Sequence, residues 1–214
     1  MLGRRLKQRG DTLIEVLFAV TVFSLVAVGG ISIMNQGTNT SERALEITLV
    51  RQEIDAQAEA LRFLHDAYVT AYQTNATYPV DTPQGQWAEM LKSIIATDTK
   101  SASDFGNVTA CSSAAPSGSF IINTRSATFI APDKGKLQPA SLYSRVNYGT
   151  LNGKSVVDSA EGIWIEAVRS ATSSDSGESN AGFIDFHIRT CWETAAKTAP
   201  ATLGTIVRLY EPRG

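Results

Sequence analysis

The apolar pattern of the chain begins with one long run. Leu13 to Met34 is a 22-residue stretch with a single charge, Glu15. As a helix it would be about 33 Å long, which matches a hydrocarbon core of roughly 30 Å. It is too long for the apolar part of an ordinary secretory signal. Gly29 and Gly30 lie inside it, and each weakens a helix by about 1 kcal/mol relative to Ala. From Ser41 to Tyr72 the pattern turns amphipathic. Ile47, Val50, Ile54, Leu61, Leu64 and Tyr68 recur at helical spacing, and charged residues fill the positions between them. Ser41 is a plausible cap if 35–40 is loosened; otherwise the helix simply continues.

Beyond Tyr72 the pattern shortens. Thr74 to Gln86, with Pro79, Pro83 and Gly85, reads as loop. Gln86 to Thr97 reads as a short helix with Trp87, Leu91, Ile94 and Ile95 on its apolar side. Lys100 to Gly118 is small and polar and reads as a connector. Strand signals follow at Phe120–Asn123, Thr128–Ala131, Leu142–Tyr148, Ile163–Arg169, Phe183–Trp192 and Thr205–Tyr210. Phe183–Trp192 alternates most cleanly, with Ile184, Phe186, Ile188 and Thr190 on one side. The serine-rich stretch Ala171–Gly182 reads as an exposed loop, a plain connection before it is a variable surface. Five or six strands against a long helix give an α+β fold with a mostly antiparallel sheet. The expected divisions are 1–10, a basic leader; 11–34, a transmembrane helix; 35–73, its amphipathic continuation; and 74–214, a β-rich head.

Charge adds a direction. Residues 1–10 hold Arg4, Arg5, Lys7 and Arg9 and no acid. Bases before an apolar span stay in the cytoplasm, which places the remainder outside. Without these ten residues the chain keeps 15 bases against 21 acids, a net charge of −6. A body of that sign gives no bulk-charge signal for nucleic acid.

Glu15 is the most informative residue of the span. A carboxylate inside a bilayer costs about 2.5 to 3.5 kcal/mol at a central position and less near an end. It stands in the run Arg9-Gly10-Asp11-Thr12-Leu13-Ile14-Glu15-Val16-Leu17-Phe18-Ala19. The short basic leader, the Gly, the acid fifth after it and the uninterrupted apolar helix together resemble the prepilin signature of type IV pilins and type II secretion pseudopilins. The resemblance covers Arg4 to Met34 and fades beyond.

The resemblance implies cleavage by a prepilin peptidase after Gly10, so that the mature chain begins at Asp11 with Glu15 as its fifth residue. It implies assembly into a filament through the helix, with Glu15 meeting the neighbouring subunit's new amine. Such a pair acts mainly as a register device, because pairing offsets desolvation only in the right geometry. Most members carry Phe where Asp11 stands, and their new amine is methylated; the acid here departs from that pattern. Helix-breaking residues are common near Gly29 and Gly30 in the family; close packing at small residues is the other reading. The partners implied are other pilins, the peptidase and the membrane before assembly. The location implied is the inner membrane, then a cell-surface filament.

Cys111 and Cys191 lie 80 residues apart, unlike the close pairs of zinc or redox sites. Export favours a disulfide between them, with two buried free thiols as the alternative. No catalytic constellation, phosphate loop or calcium loop is present. His65 reads as a solvated residue beside Asp66, and His187 as a half-exposed strand residue. No cofactor and no enzymatic activity are expected. Trp164, Trp192 and Tyr148 are core residues before they are an adhesive surface. A minor pilin is the first functional reading and a pseudopilin of a secretion or DNA-uptake system the second. A signal-anchored extracellular domain that never polymerises is the third.

Overall fold

A computed structural model describes residues 11–73, 76–95, 111, 115–131, 136–169, 182–193 and 200–212. The chain divides into two compact units, Met1–Ile47 and Thr48–Gly214. Helix α1, Asp11–Ala71, runs unbroken through the boundary. Residues 35–40 are helical, so Ser41 caps nothing.

The described residues of the first unit form one continuous stretch of α1. Every side chain from Leu13 to Leu45 is exposed. Two hydroxyls of the apolar span turn back onto the helix: Thr21 Oγ1 donates to the Phe18 carbonyl at 2.8 Å and Ser24 Oγ to that of Val20 at 2.7 Å. This satisfies both hydroxyls without water, as a lipid environment requires.

In the second unit, α1 from Thr48 onward buries Val50, Ile54, Gln57, Ala58, Leu61 and Leu64. These follow the expected stripe, with Gln57 and Ala58 filling the gap between Ile54 and Leu61. Helix α2, Pro83–Ile95, starts three residues before the expected Gln86. Pro83 takes the first helical position, where its missing N–H costs nothing. Thr82 Oγ1 accepts from the Gly85 amide at 3.2 Å as the N-cap. Trp87 and Met90 are its buried residues.

Among the described residues eight strands form three small sheets. Strands β1, Ile121–Asn123, and β2, Thr128–Ile130, make an antiparallel ribbon. Strands β3, Leu137–Gln138, β4, Arg145–Leu151, and β5, Lys154–Glu161, order as β3-β5-β4. The β3–β5 pairing is parallel. Strands β6, Ile163–Arg169, β7, Phe183–Glu193, and β8, Pro200–Tyr210, form an antiparallel meander. The architecture is α+β and rich in antiparallel pairs.

Four strands differ from the sequence expectation: β3 was not expected, and β8 begins at Pro200, five residues before the expected Thr205. The strand expected at Leu142–Tyr148 runs instead over Arg145–Leu151, and Leu142 is 65% exposed. Strand β5 was not expected at all. Asn152 and Gly153 join β4 to β5 with φ of 51° and 75°. Positive φ at both turn residues suits a two-residue hairpin, and Asn-Gly is the pair that tolerates it. Ala171–Ala181 and most of the Lys100–Gly118 connector lie outside the described residues.

The core of the second unit lies between the helices and the even-numbered face of β7. Ile184, Phe186 and Ile188 are each at most 1% exposed. The Trp87 ring from α2 sits 5.6 Å from Phe186, and Phe120 lies 6.3 Å from it on another side. On the opposite face a disulfide joins Cys111 to Cys191, with Cα atoms 5.2 Å apart. It packs with Trp164, flanked by Ala115 and Leu137.

Candidate assembly site

The N-terminal helix is the feature that needs a partner. Phe18, Phe23, Leu25 and Ile33 are each more than 70% exposed. Isolated exposed apolar residues are ordinary, but a continuous sleeve of them marks a membrane or protein contact. The helix is long and apolar enough to cross a membrane. Asp11 is its first residue, and Gly10 lies outside the described residues. Glu15 is exposed and is the only ionisable side chain between Leu13 and Met34. Beyond the helix's own backbone, a Cβ at Gly29 or Gly30 would meet nothing within 4 Å.

Residues 5–31 match the family model described as the prokaryotic N-terminal methylation motif. The chain carries the type IV pilin and pseudopilin signature. No curated protein and no solved structure matches it. The signature therefore speaks for the helix, and the head must be read from its own residues.

The head offers little reactive chemistry. Among the described residues no group of His, Cys, Asp and Glu could hold a metal ion. His65, expected to be solvated, has a side chain only 13% exposed. Its Nε2 lies 2.8 Å from the Tyr210 carbonyl, and its ring meets Trp87 edge-on at 5.1 Å. It ties α1 to the end of β8. His187 is partly buried on β7, and burial is the main influence that lowers its pKa.

The aromatic residues weighed as an adhesive surface are structural. Trp164 and Trp192 are 6% and 1% exposed. Trp164 Nε1 donates to the buried carboxylate of Glu166 at 2.7 Å. The Tyr148 ring lies under the Arg125 guanidinium at 4.1 Å, and its hydroxyl pairs with Thr124 at 2.7 Å.

Three ion pairs link residues of the meander. Arg208 grips Asp185 with two bonds of 2.7 Å, and this lowers the Asp185 pKa and raises that of Arg208. Arg169 reaches Glu211 at 2.5 Å. Beside that pair a cavity of about 200 Å³ is lined by His65, Tyr68, Tyr72 and Trp87. Glu53 on α1 behaves differently: burial pushes its carboxyl up, against a hydrogen bond from Gln57 and the charge of Arg125.

Sequence reading passed over Gln57. A glutamine at a stripe position looks like a polar interruption. Its role appears only when the strand it meets is known.

Proposed function

We propose that this protein is a structural subunit, a minor pilin, of a type IV pilus-like filament. The reading rests on one observation: a helix bearing the methylation motif exposes an unbroken apolar surface around a single carboxylate, Glu15. An isolated carboxylate among apolar side chains calls for a positive partner. Cleavage after Gly10 would create that partner, an α-amine on Asp11 of the adjacent subunit. The leader would hold the N-terminus in the cytoplasm before cleavage, and the head would be extracytoplasmic. The partners are then other pilin subunits, the prepilin peptidase and the membrane. The composition of the head favours a minor position over the repeating one.

Substituting Glu15→Val tests assembly apart from insertion. Removing the carboxylate makes the helix easier to insert, so membrane levels stay normal. Filament incorporation falls by on the order of tenfold, because the register contact is gone. Normal incorporation of the variant would sink the proposal.

A further inference from the structure

The turn between β4 and β5 carries a reactive pair of residues. Asn152 and Gly153 stand outside the ladder, which closes at the Leu151–Lys154 pair. All four residues are exposed. Among the described residues neither the Asn152 carboxamide nor the Gly153 amide has a hydrogen-bond partner. A Cβ at Gly153 would meet nothing within 4 Å, so solvent reaches the turn from that side.

The other described asparagines are held. Asn123 is 2% exposed and donates Nδ2 to the Ser155 carbonyl at 2.9 Å. Asn147 donates Nδ2 to Ser159 Oγ at 2.9 Å and to Glu161 Oε1 at 2.7 Å. Asn35 and Asn39 lie inside α1, where the amide of the next residue is committed to a helical bond. Each of these four is followed by a residue with a side chain: Gln36, Thr40, Thr124 or Tyr148.

The amide nitrogen that follows an asparagine is always near its Cγ, because the bond between them closes a five-membered ring. Two obstacles ordinarily prevent that closure. One is a backbone fixed by ladder or helix bonds, and the other is a side chain on the next residue. Neither obstacle exists at Asn152 and Gly153, whose torsions can rotate without breaking a ladder bond of their own.

We propose that Asn152 is a modification site, at which the chain converts itself to aspartate and isoaspartate without an enzyme. The Gly153 nitrogen attacks Asn152 Cγ and gives up its proton. The N–Cγ bond forms, the Cγ–Nδ2 bond breaks, and Nδ2 leaves as ammonia. A succinimide ring remains, and water opens it at either carbonyl. Addition at Cγ gives aspartate. Addition at the main-chain carbonyl leaves Gly153 attached through Cγ, as isoaspartate. Either route consumes one water and releases one ammonia.

The two products differ in what they do to the hairpin. Aspartate keeps the turn, since Asp-Gly tolerates the same torsions as Asn-Gly. Isoaspartate adds an atom to the main chain of a two-residue turn, so the Leu151–Lys154 pair opens and the hairpin frays from its tip. The inference goes beyond filament assembly and does not depend on it, because it needs only the hairpin and water.

The test is mass spectrometry of the full chain, kept in detergent micelles at physiological temperature and sampled over weeks. Trypsin cuts after Arg145 and Lys154, so one peptide, Val146–Lys154, holds both Asn147 and Asn152. The peptide gains the mass of NH2 becoming OH, and its fragments place the change at Asn152. The change is at least about tenfold faster there than at Asn147, which must wait for the hairpin to open. Isoaspartate and aspartate forms both appear, and the rate climbs with pH because the attacking nitrogen must lose its proton. Asn152→Gly keeps a turn that accepts positive φ at both positions, and it abolishes the gain in mass. The inference is overturned if Asn147 changes as fast as Asn152, or if Asn152 stays intact while a synthetic peptide of the same sequence reacts. Aspartate without isoaspartate would also overturn it, since that outcome means direct hydrolysis with no ring.

Discussion

Gln57 on α1 holds both backbone groups of Ile122 on β1. Its Nε2 donates to the Ile122 carbonyl at 2.9 Å, and its Oε1 accepts from the Ile122 amide at 3.0 Å. Ile122 faces Phe129 across the β1–β2 ribbon, and the Phe129 amide is taken by Gln86 Oε1 of α2 at 2.8 Å. Each helix thus supplies a glutamine that completes one edge of a two-stranded ribbon. A ribbon this short could not otherwise be buried, since orphaned backbone groups cost more than the strands gain.

Gln57 is 0% exposed, so removing its amide strands two buried backbone groups. Gln57→Ala should cost about 2 to 4 kcal/mol, and Gln57→Leu nearly as much, because volume does not replace the bonds. The check is denaturant unfolding in detergent followed by tryptophan emission. An unchanged midpoint in Gln57→Leu would mean that the pairing contributes nothing.

The disulfide ties Cys111 to Cys191 across a sequence separation of 80. Constraining a loop of that length stabilises a fold by about 4 kcal/mol on the chain-entropy model. Reduction, or the double substitution Cys111→Ala and Cys191→Ala, should lower the unfolding midpoint by a corresponding amount. A reductant that leaves the midpoint unmoved would show that the bond is absent or without effect.

Two carboxylates give opposite pH responses. The Glu53 carboxyl is raised, chiefly by burial. It binds its proton more tightly when folded, so its ionisation subtracts stability as pH rises from the unfolded value through the folded one. Glu53→Gln should therefore stabilise the head at neutral pH, with the gain shrinking as the pH falls toward the unfolded carboxylate range. Asp185 is lowered, chiefly by its hydrogen bond from Arg208. Its contribution is present above the unfolded value and is lost as pH falls through the folded one. Asp185→Asn should destabilise at neutral pH and matter progressively less in acid. Thermal melts of both variants at several pH values read out the two signs.

The elements legible in the sequence were those with a strong period or a long apolar run. Leu13–Met34 declared itself by length, and Val50, Ile54, Leu61 and Leu64 by spacing. β7 declared itself by alternation: Ile184, Phe186, Ile188 and Thr190 share one side and are buried, whereas Cys191, on the other side, is buried too, in the disulfide, as is Trp192. β5 was missed because Lys154–Glu161 is small and polar, with only Val157 and Ala160 fully buried. Its signal lay in the Asn152-Gly153 turn before it. The start of α2 was missed because Pro83 and Gly85 read as breakers. Gly85 is needed there: a Cβ would collide with the Pro79 carbonyl. His65 looked solvated because Asp66 stands beside it, whereas its partners, Trp87 and Tyr210, are distant in sequence. Near the N-terminus, Gly10, Asp11 and Glu15 were readable as a motif because spacing along one chain is all the motif requires. The two glutamines could not be read, since their roles depend on which strand lies opposite.

The central claim is that the chain is processed and assembled as a pilin. The most direct measurement is the intact mass and N-terminal sequence of the protein recovered from a sheared cell-surface fraction. The account predicts a chain that begins at Asp11, with or without a methyl group on the new amine. A chain that still begins at Met1 and remains with the membranes would contradict it, and the N-terminal helix would then be an anchor alone.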